Sequence, residues 1–539
     1  MMQSDFVCPY CGMSVPVDFR GWSCPGCGES LLSICGEEPA DWVDGDAVVR
    51  LRESADAGNP MAQYDLAVLC DIGSFGISDE EMVRLLSESA EQGFAPAQER
   101  LGMCYFHGDP TEQSYEKAFR WVALAADQGY APARCDLGWM YEYGLGTEKS
   151  VEKALELYRL AADQGSGYAQ FNIGWMYEVG KGVEQSYGES LRWYRLSAEK
   201  GIDAAEYKIG CCYADGLGVE QSYEKAFEWL KLAAEKGYAP AQCRLGRLYD
   251  DGDGVEQSCE EAIKWFMLSA EQGDDHAQCN LGWMHQNGRG VPRSYEEAAK
   301  WYRLSADQGN MNAQQFLGRM YELGKGVPQS YDEAARLYRL SADHGNDYAQ
   351  YCLGLFYEEG KGVPQSYDEA FRWTQLSADQ GNQHAQCNLG WLYQSGRGVP
   401  KSDEEAAKWY RLSADQGNMN GQLRLGMLYE KGLGVEQSYG KALELYRLSA
   451  AQGNDDAQCL LAMMYEHGKG VEKSYSEAAK WYRLSAVQGN GYAQFKLGWM
   501  HEKGLGVEQS DIEAARWYMK SARRGNRLAS IRLDWMLKR

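Results

Sequence analysis

The sequence predicts an all-α protein, a solenoid of stacked two-helix repeats, and two observations carry this prediction. First, glycines that close successive blocks stand 36 residues apart from Gly93 to Gly525, and one earlier step, from Gly58 to Gly93, is 35 residues. Second, each block holds two helical patterns joined by a glycine turn. Such a period is typical of solenoids, whose repeats contact mainly their neighbours and present an extended surface. We therefore expect a binding protein rather than an enzyme.

The first helix of a repeat is clear in the block that follows Gly273. Ala277, Leu281 and Met284 stand 4, 8 and 11 residues after that glycine and share one face of a helix. The next residue, at position 12, is a tyrosine in most blocks. Gly282, at position 9, is glycine in almost every block, although glycine inside a helix costs about 1 kcal/mol relative to alanine. We expect a neighbouring helix to approach closely there.

A glycine turn separates the two helices of the block. Gly288 and Gly290 end the first helix, and Ser294 stands at the N-cap of the second helix with Glu297 three residues later, which predicts a capping box. The Gly-x-Gly pattern also occurs in phosphate-binding loops. Here no strand precedes it and it recurs in nearly every block, so a helix-hairpin turn explains it better.

The second helix follows the turn. Its pattern, EEAAKWYRLSA, predicts that Ala298, Trp301, Leu304 and Ala306 face inward. The helix ends near Gly309, which suits a left-handed C-terminal cap.

These motifs resemble a known family. The string A-Q-x-x-L-G-x-x-Y-x-x-G-x-G-V-x-x-S-Y-x-x-A-x-x-W-Y-x-x-A-A-x-x-G stands nearly intact at residues 313–345, 385–417 and 493–525. It is similar to the Sel-1-like repeat, a relative of the tetratricopeptide repeat, and the resemblance covers residues 45–538. It implies antiparallel helix pairs stacked into a right-handed superhelix, in proteins that act mostly as adaptors and scaffolds. Some secreted members carry a disulfide in each repeat and bind or hydrolyse cell-wall-related compounds, but this chain lacks the paired cysteines.

The repeat also sets the domain boundaries. Residues 1–36 are predicted to form a zinc ribbon, and residues 37–57 a linker and an N-terminal capping helix. Residues 58–525 hold about 13 repeats, and residues 526–539 form a C-terminal capping helix. The repeat after Gly58 is degenerate, because DIGSFGISDEEMVRL replaces the usual turn.

A metal motif stands at the amino end. Cys8, Cys11, Cys24 and Cys27 form two C-x2-C pairs separated by 12 residues, a spacing that predicts one structural zinc ion held by four sulfurs. Residues 6–36 resemble a short zinc ribbon. Four protein ligands leave no open position for catalysis. Ribbons often bind nucleic acid, but only Arg20 is basic among residues 1–49, so capping of the array or a protein contact is favoured.

The charge of the chain limits which classes of partner are expected. The 539 residues carry a formal net charge of -24, which disfavours nucleic acid and anionic membranes as partners for most of the surface. The charge is uneven, because residues 1–92 hold 17 acidic and 4 basic residues, whereas residues 516–539 hold 8 basic residues and one acidic residue. The basic end is either a polar cap that keeps the array soluble or a contact for an acidic partner.

The location is predicted to be cytoplasmic. No stretch approaches 18 apolar residues, and MMQSDFVCPYCG lacks the basic and apolar segments of a secretory signal. There are 16 cysteines, and no second cysteine recurs at a fixed distance within the repeats, so we expect reduced thiols. Five cysteines share position 6 and are interpreted as small apolar residues: Cys135, Cys243, Cys279, Cys387 and Cys459.

Position 10 of the repeat predicts the binding surface, because it lies opposite the packed face of the first helix and varies sharply between repeats. Its tryptophans are Trp139, Trp175, Trp283, Trp391, Trp499 and Trp535. Other repeats place Arg247, Arg319, Leu355, Met427 or Cys211 there. A position that accepts both tryptophan and arginine is not a sealed core. The alternative is that the tryptophans pack sideways against the next repeat.

Position 13 lies one turn further along the same ridge and is glutamate in seven repeats. Its glutamates are Glu142, Glu178, Glu322, Glu358, Glu430, Glu466 and Glu502. Exposed tryptophans and glutamates in a concave groove would suit a partner with a basic segment, through cation-π contacts and ion pairs. Tryptophans at position 28, such as Trp301 and Trp409, recur with little change and are predicted to be buried.

No catalytic group is indicated. The seven histidines form no HExxH motif and have no recurring cysteine or aspartate partner. The sequence therefore predicts a non-enzymatic scaffold for protein partners. The two alternatives are a small-molecule or cell-wall-related binder or hydrolase, and a nucleic-acid-associated adaptor that acts through the zinc ribbon.

Overall fold

A computed structural model of the chain describes residues 6–7, 14–15, 45–69 and 77–537. The two strands, β1 (Phe6–Val7) and β2 (Ser14–Val15), pair antiparallel, with Phe6 opposite Val15 and Val7 opposite Ser14. The described residues otherwise form α-helices, and the chain divides into two compact units, residues 1–274 and residues 275–539. No described helix is both long enough and apolar enough to cross a bilayer.

The first unit contains thirteen described helices. They are α1 (Gly45–Asp56), α2 (Pro60–Val68), α3 (Asp79–Glu91), α4 (Ala95–His107), α5 (Tyr115–Asp127), α6 (Ala131–Tyr143), α7 (Val151–Asp163), α8 (Gly167–Val179), α9 (Tyr187–Ala198), α10 (Asp203–Asp215), α11 (Tyr223–Glu235), α12 (Ala239–Asp251) and α13 (Cys259–Glu271). Even-numbered helices are the first helices of repeats and odd-numbered helices the second.

The second unit continues the same order. Its helices are α14 (Asp275–Asn287), α15 (Tyr295–Asp307), α16 (Met311–Leu323), α17 (Tyr331–Asp343), α18 (Asp347–Glu359), α19 (Tyr367–Asp379), α20 (Gln383–Ser395), α21 (Asp403–Asp415), α22 (Met419–Lys431), α23 (Tyr439–Ala451), α24 (Asp455–His467), α25 (Tyr475–Gln488), α26 (Gly491–Lys503), α27 (Asp511–Arg523) and α28 (Arg527–Leu537). In both units, each helix packs against the next one in the chain.

The core of a repeat lies between its two helices. In α14, Ala277, Leu281 and Met284 are buried, as predicted. In α15, Tyr302 is fully buried, and a Cβ atom added to Gly282 would lie 2.6 Å from its ring. The close approach inferred from the recurring glycine is therefore confirmed, and the ring of a tyrosine is what approaches.

The prediction for the second helix is partly wrong. Ala298 is buried, but Trp301 and Trp409 are only half-buried and Leu304 is 50% exposed. The buried stripe passes instead through Tyr302, which is the residue next to the tryptophan. In these two repeats the tryptophan therefore lies at the boundary of the packed face, whereas Trp373 and Trp517, at the same position, are buried as predicted. The leucine points to solvent.

Polar side chains tie the two helices of a repeat to each other and one repeat to the next. Ser305 Oγ donates to the main-chain oxygen of Asp275 at 2.7 Å, and Gln308 Nε2 donates to Gln278 Oε1 at 2.9 Å. In the next repeat, Gln314 Nε2 donates to the main-chain oxygen of Ala306 at 3.2 Å. Equivalent bonds recur along both units, and hydropathy gives no sign of them because serine and glutamine read as surface residues.

The turn between the helices is as predicted, with one difference. Gly288 and Gly290 have φ angles of 70° and Gly309 one of 97°. Ser294 Oγ accepts a hydrogen bond from the Glu297 amide at 3.2 Å. The reciprocal hydrogen bond of a capping box, from the Ser294 amide to the Glu297 carboxylate, is missing. The Ser294 amide donates instead to the main-chain oxygen of His285, and the Glu297 carboxylate pairs with Lys300.

The predicted metal ligands Cys8, Cys11, Cys24 and Cys27 lie outside the described residues, and the zinc site stays a prediction.

Candidate partner-binding surface

Position 10 of the repeats is not sealed in the core, but its half-buried tryptophans pack against the core, as the alternative interpretation expected. Arg247 and Arg319 are exposed, and Trp139 is 39% exposed. The tryptophans Trp175, Trp283, Trp391 and Trp499 are half-buried, and Trp535 is exposed. No residue at this position is buried in any described repeat that follows Gly93. This column is therefore accessible on the first helices.

The glutamates at position 13 are not a freely exposed acidic column, and that prediction is wrong for three of them. Glu142, Glu466 and Glu502 are buried, with exposures of 2%, 5% and 5%. The remaining members are half-buried: Glu178, Glu322, Glu358 and Glu430.

These carboxylates are engaged by the protein itself. Glu466 Oε2 accepts from the Tyr482 hydroxyl at 2.6 Å, and its Oε1 accepts from Lys496 Nζ, in the next repeat, at 2.7 Å. Burial and the bonded carboxylate together raise the pKa of Tyr482 far above its usual value. Each such glutamate therefore joins the two helices of its own repeat to the repeat that follows.

The same arrangement recurs in both units. The tyrosine–glutamate bonds are Tyr158–Glu142 at 2.9 Å, Tyr194–Glu178, Tyr338–Glu322 at 2.6 Å, Tyr446–Glu430 at 3.0 Å and Tyr518–Glu502 at 2.7 Å. The ion pairs to the next repeat include Lys181–Glu142 at 2.7 Å, Lys208–Glu178 at 2.9 Å and Lys469–Glu430 at 3.1 Å.

The pKa values of two glutamates at position 13 are shifted in opposite directions. Burial raises the pKa of Glu358. Thr374 stands where other repeats have the tyrosine, so this carboxylate lacks the tyrosine's hydrogen bond and accepts one from Asn388, at 3.3 Å. For Glu502, burial alone would raise the pKa, but hydrogen bonds from Tyr518 and Lys503 lower it below the usual value.

Most tryptophans of position 10 already carry a cation of their own chain. Lys181 lies 5.0 Å from the ring centroid of Trp175, Arg289 5.6 Å from that of Trp283, Arg397 4.6 Å from that of Trp391 and Lys496 5.1 Å from that of Trp499. These rings are thus partly satisfied by intramolecular cation-π contacts.

Trp139 is different. It packs against Phe106, with the ring centroids 5.3 Å apart, and against Tyr143, with the centroids 5.0 Å apart. Its repeat carries Leu145 at position 16, where Trp175 has its lysine, and Asp136 at position 7, where Trp499 has its lysine. No cation of the described residues lies over the Trp139 ring. The Trp139 ring is thus uncovered by a cation, whereas Lys181 lies 4.8 Å from the ring centroid of the neighbouring Tyr143.

The two units also differ in net charge. Residues 1–274 contain 22 basic and 47 acidic residues, whereas residues 275–539 contain 32 basic and 31 acidic residues. The whole negative charge of the chain therefore belongs to the unit that contains Trp139.

Sequence reasoning missed an exposed leucine column on the second helices. These residues stand at position 31 and are 38% to 50% exposed: Leu124, Leu160, Leu232, Leu268, Leu304, Leu340, Leu376, Leu412, Leu448 and Leu484. The signal was present, because the leucine lies two residues after the buried tyrosine position and so cannot share its face.

The thiols at position 6 are buried or half-buried and form no disulfide, in agreement with their interpretation as small apolar residues. Burial raises the pKa of Cys279 to about 12, that of Cys387 to about 11 and that of Cys459 to about 12. They stay protonated at neutral pH, which is the unreactive form of a thiol.

The pattern of repeats matches one family model, the Sel1 repeat. The matched residues are 95–130, 131–166, 167–202, 203–238, 239–274, 275–310, 312–346, 347–382, 383–418, 420–454, 455–490 and 491–526. The chain belongs to the Sel1 repeat family. The model matches 12 repeats, and the degenerate repeat after Gly58, formed by α2 and α3, lies outside the matched residues.

Solved Sel1 repeat structures are similar to this chain. A protective antigen present in uropathogenic Escherichia coli strains, which displays an SLR fold, is 34% identical, with a TM-score of 0.63 over 84% of this chain and 97% of that one. A Sel1 repeat protein from Oxalobacter formigenes is also 34% identical, with a TM-score of 0.46 over 57% of this chain and 89% of that one. The comparison with curated proteins returned no match.

Proposed function

We propose that this Sel1 repeat protein is a non-enzymatic scaffold that binds a partner protein through the first helices of its first unit. Sel1 repeats commonly serve as protein-interaction scaffolds, and the single observation that carries the finer proposal is the open ring of Trp139. Large aromatic residues in partly exposed clusters are frequent anchors of interfaces. We define the Trp139 cluster as Phe106, Trp139 and Tyr143.

The proposed partner carries a basic segment. Four tryptophans at the same position hold a lysine or arginine of their own chain, whereas Trp139 holds none, so a cation of the partner can take the equivalent place. The net charge of residues 1–274 favours the approach of a basic segment, and this attraction weakens with salt.

The test uses the full chain and an array of 15-residue peptides that carry two to four lysines or arginines, with an array of matched acidic peptides as the control. A basic peptide that binds is then titrated against variants. Trp139→Ala is expected to weaken it by about 2 kcal/mol, roughly thirtyfold, whereas Trp283→Ala, whose ring has its own arginine, changes the affinity little. Equal loss in both variants, or an array in which no basic peptide binds, would reject the proposal.

We also propose that Cys8, Cys11, Cys24 and Cys27 bind one structural zinc ion. Their spacing supports it, and so do the paired strands β1 and β2, which bracket the first two cysteines in the sequence. Four thiolates form a closed tetrahedral set whose binding energy would supply the folding energy of so small a segment. Elemental analysis should give one zinc per chain, and none after replacement of both Cys24 and Cys27 by Ser, with the helical circular dichroism unchanged.

A further inference from the structure

A cavity in the second unit has an unusual charge. It measures about 210 Å³ and lies between α14, the turn that follows it, and α16. Its lining consists of Gln286, Asn287, Arg293, Tyr295, Phe316, Arg319, Met320, Leu323 and Lys325. Three of these nine side chains are basic and none is acidic, in a protein with an overall charge of -24.

Two of the three basic side chains lie close to the ring of Tyr295. The Arg293 guanidinium lies 4.7 Å from the ring centroid of Tyr295 and also donates to its hydroxyl, and Lys325 Nζ lies 5.4 Å from the same centroid. The two charges are therefore no more than about 10 Å apart. The exposed guanidinium of Arg319 is the third. Three cations and no carboxylate line the cavity, so an anion bound there would be attracted by all three.

None of the three cations has a carboxylate within ion-pair distance among the described residues. The acidic residues nearest in sequence are bonded elsewhere: Glu296 to Ser294 at 3.2 Å, Glu297 to Lys300 at 2.6 Å and Glu322 to Tyr338 at 2.6 Å. Position 13, glutamate in seven repeats, is Gln286 here.

Gln286 also behaves differently from its counterpart. In the repeat that follows Gly381, Gln394 accepts a hydrogen bond from the Tyr410 hydroxyl at 3.1 Å. In this repeat the equivalent Tyr302 hydroxyl is buried and has no hydrogen-bond partner, while Gln286 lines the cavity. The amide is thus available to a ligand in the cavity as a further donor.

Apolar side chains complete the wall. Phe316 and Met320 line the cavity, and Leu323 at its edge is 48% exposed. Cations beside exposed apolar carbon suit an anion that is carried next to an apolar group, as in a peptide, rather than a small hydrophilic ion.

We propose that this cavity binds an acidic residue of a partner protein, Asp or Glu, flanked by a bulky apolar residue. This proposal rests on the scaffold function proposed above. It places the contact in the second unit rather than the first, and the partner residue is acidic rather than basic. The carboxylate would lie between Arg319, Arg293 and Lys325, and the apolar neighbour against Phe316 and Leu323.

The test uses the full chain labelled with ¹³C at the methionine methyl groups, because the Met320 methyl reports from the cavity wall. The probe is a capped hexapeptide with two aspartates between leucine and phenylalanine. Matched peptides carry asparagine or phosphoserine in place of aspartate. The Met320 signal is assigned by its loss in Met320→Leu. We expect a saturable shift with the aspartate peptide and none with the asparagine peptide.

Variants then place the site. Replacement of both Arg319 and Lys325 by Gln should weaken binding at least tenfold, whereas Arg336→Gln, which removes an exposed arginine paired with Glu333, should leave it unchanged. Equal binding by the double variant would overturn the site, and binding of only the phosphoserine peptide would overturn the carboxylate assignment. Trp139→Ala should retain this binding, so that failure here and failure of the scaffold proposal are distinguished.

Discussion

Tyr482 donates its hydroxyl hydrogen to Glu466 at 2.6 Å, while Lys496 donates to the other oxygen of the same carboxylate at 2.7 Å. The three residues lie in α25, α24 and α26, so one buried carboxylate joins three successive helices. A position that resembles a surface glutamate therefore belongs to the contact between repeats.

Removal of this carboxylate should destabilise the array locally. Glu466→Ala leaves a buried hydroxyl and a lysine that is 15% exposed without their partner, and we expect a loss of about 3 kcal/mol. The measurement is native-state hydrogen exchange of amides in α24–α26, because repeats open locally.

The matched control is Glu477→Ala in the same repeat. Glu477 pairs with Lys480 at the surface, with side-chain exposures of 38% and 69%, so its removal should cost less than about 1 kcal/mol. Similar losses in both variants would contradict the role assigned to Glu466.

The 36-residue repeat predicted the helices, the glycine turns between them and the close packing at the glycine of position 9. These features follow from local backbone and packing rules. The state of Glu466 could not be predicted, because its partners lie 16 and 30 residues away in sequence and only the packed helices bring them together. The difference between Trp139 and Trp283 is local by contrast, because Arg289 stands six residues after Trp283 where Leu145 stands six residues after Trp139.

The tyrosine-facing glycines should not tolerate a methyl group. A Cβ atom at Gly426 would lie 2.7 Å from the ring of Tyr446, which is fully buried and cannot move aside, so Gly426→Ala should lower the thermal midpoint. Gly440 lies in α23 of the same repeat with no atom within 4 Å of an added Cβ. Gly440→Ala should leave stability unchanged or raise it by up to about 1 kcal/mol. Midpoints that fall equally would disprove the close approach.

Glu206 and Lys236 replace a hydrogen-bonded pair of glutamines found in other repeats, of which the first is buried and the second exposed. Lys236 Nζ lies 2.6 Å from Glu206 Oε1 and 3.1 Å from Asp203, and Glu206 is 3% exposed. Lys236→Gln leaves a buried carboxylate without its cation and should cost about 3 kcal/mol, whereas Glu206→Gln should cost less. The double variant restores a glutamine pair and should regain most of the loss. Additive losses in a double-mutant cycle would refute the coupling.

The two unusual glutamates should give opposite pH effects. The pKa of Glu358 is raised, so its ionisation in the folded protein destabilises the array as the pH rises above the ordinary value of 4.5, and Glu358→Gln should stabilise at pH 7 but not at pH 4. The pKa of Glu502 is lowered, so its stabilisation is present above pH 4.5 and is lost below it. Glu502→Gln should therefore destabilise at pH 7, and less so in acid. Thermal midpoints at a series of pH values test both signs.

The central claim is that Trp139 differs from Trp175, Trp283, Trp391 and Trp499 because no cation of its own chain covers its ring, which leaves the ring open to an external cation. ¹⁹F NMR of the full chain labelled with 5-fluorotryptophan tests it, with the signals of Trp139 and Trp283 assigned by their loss in Trp139→Phe and Trp283→Phe. Titration with a basic peptide that binds should shift the Trp139 signal, and 0.5 M salt should reverse the shift. The Trp283 signal should stay in place. A shift of Trp283 with Trp139 unmoved, or peptide binding that moves neither signal, would contradict the account.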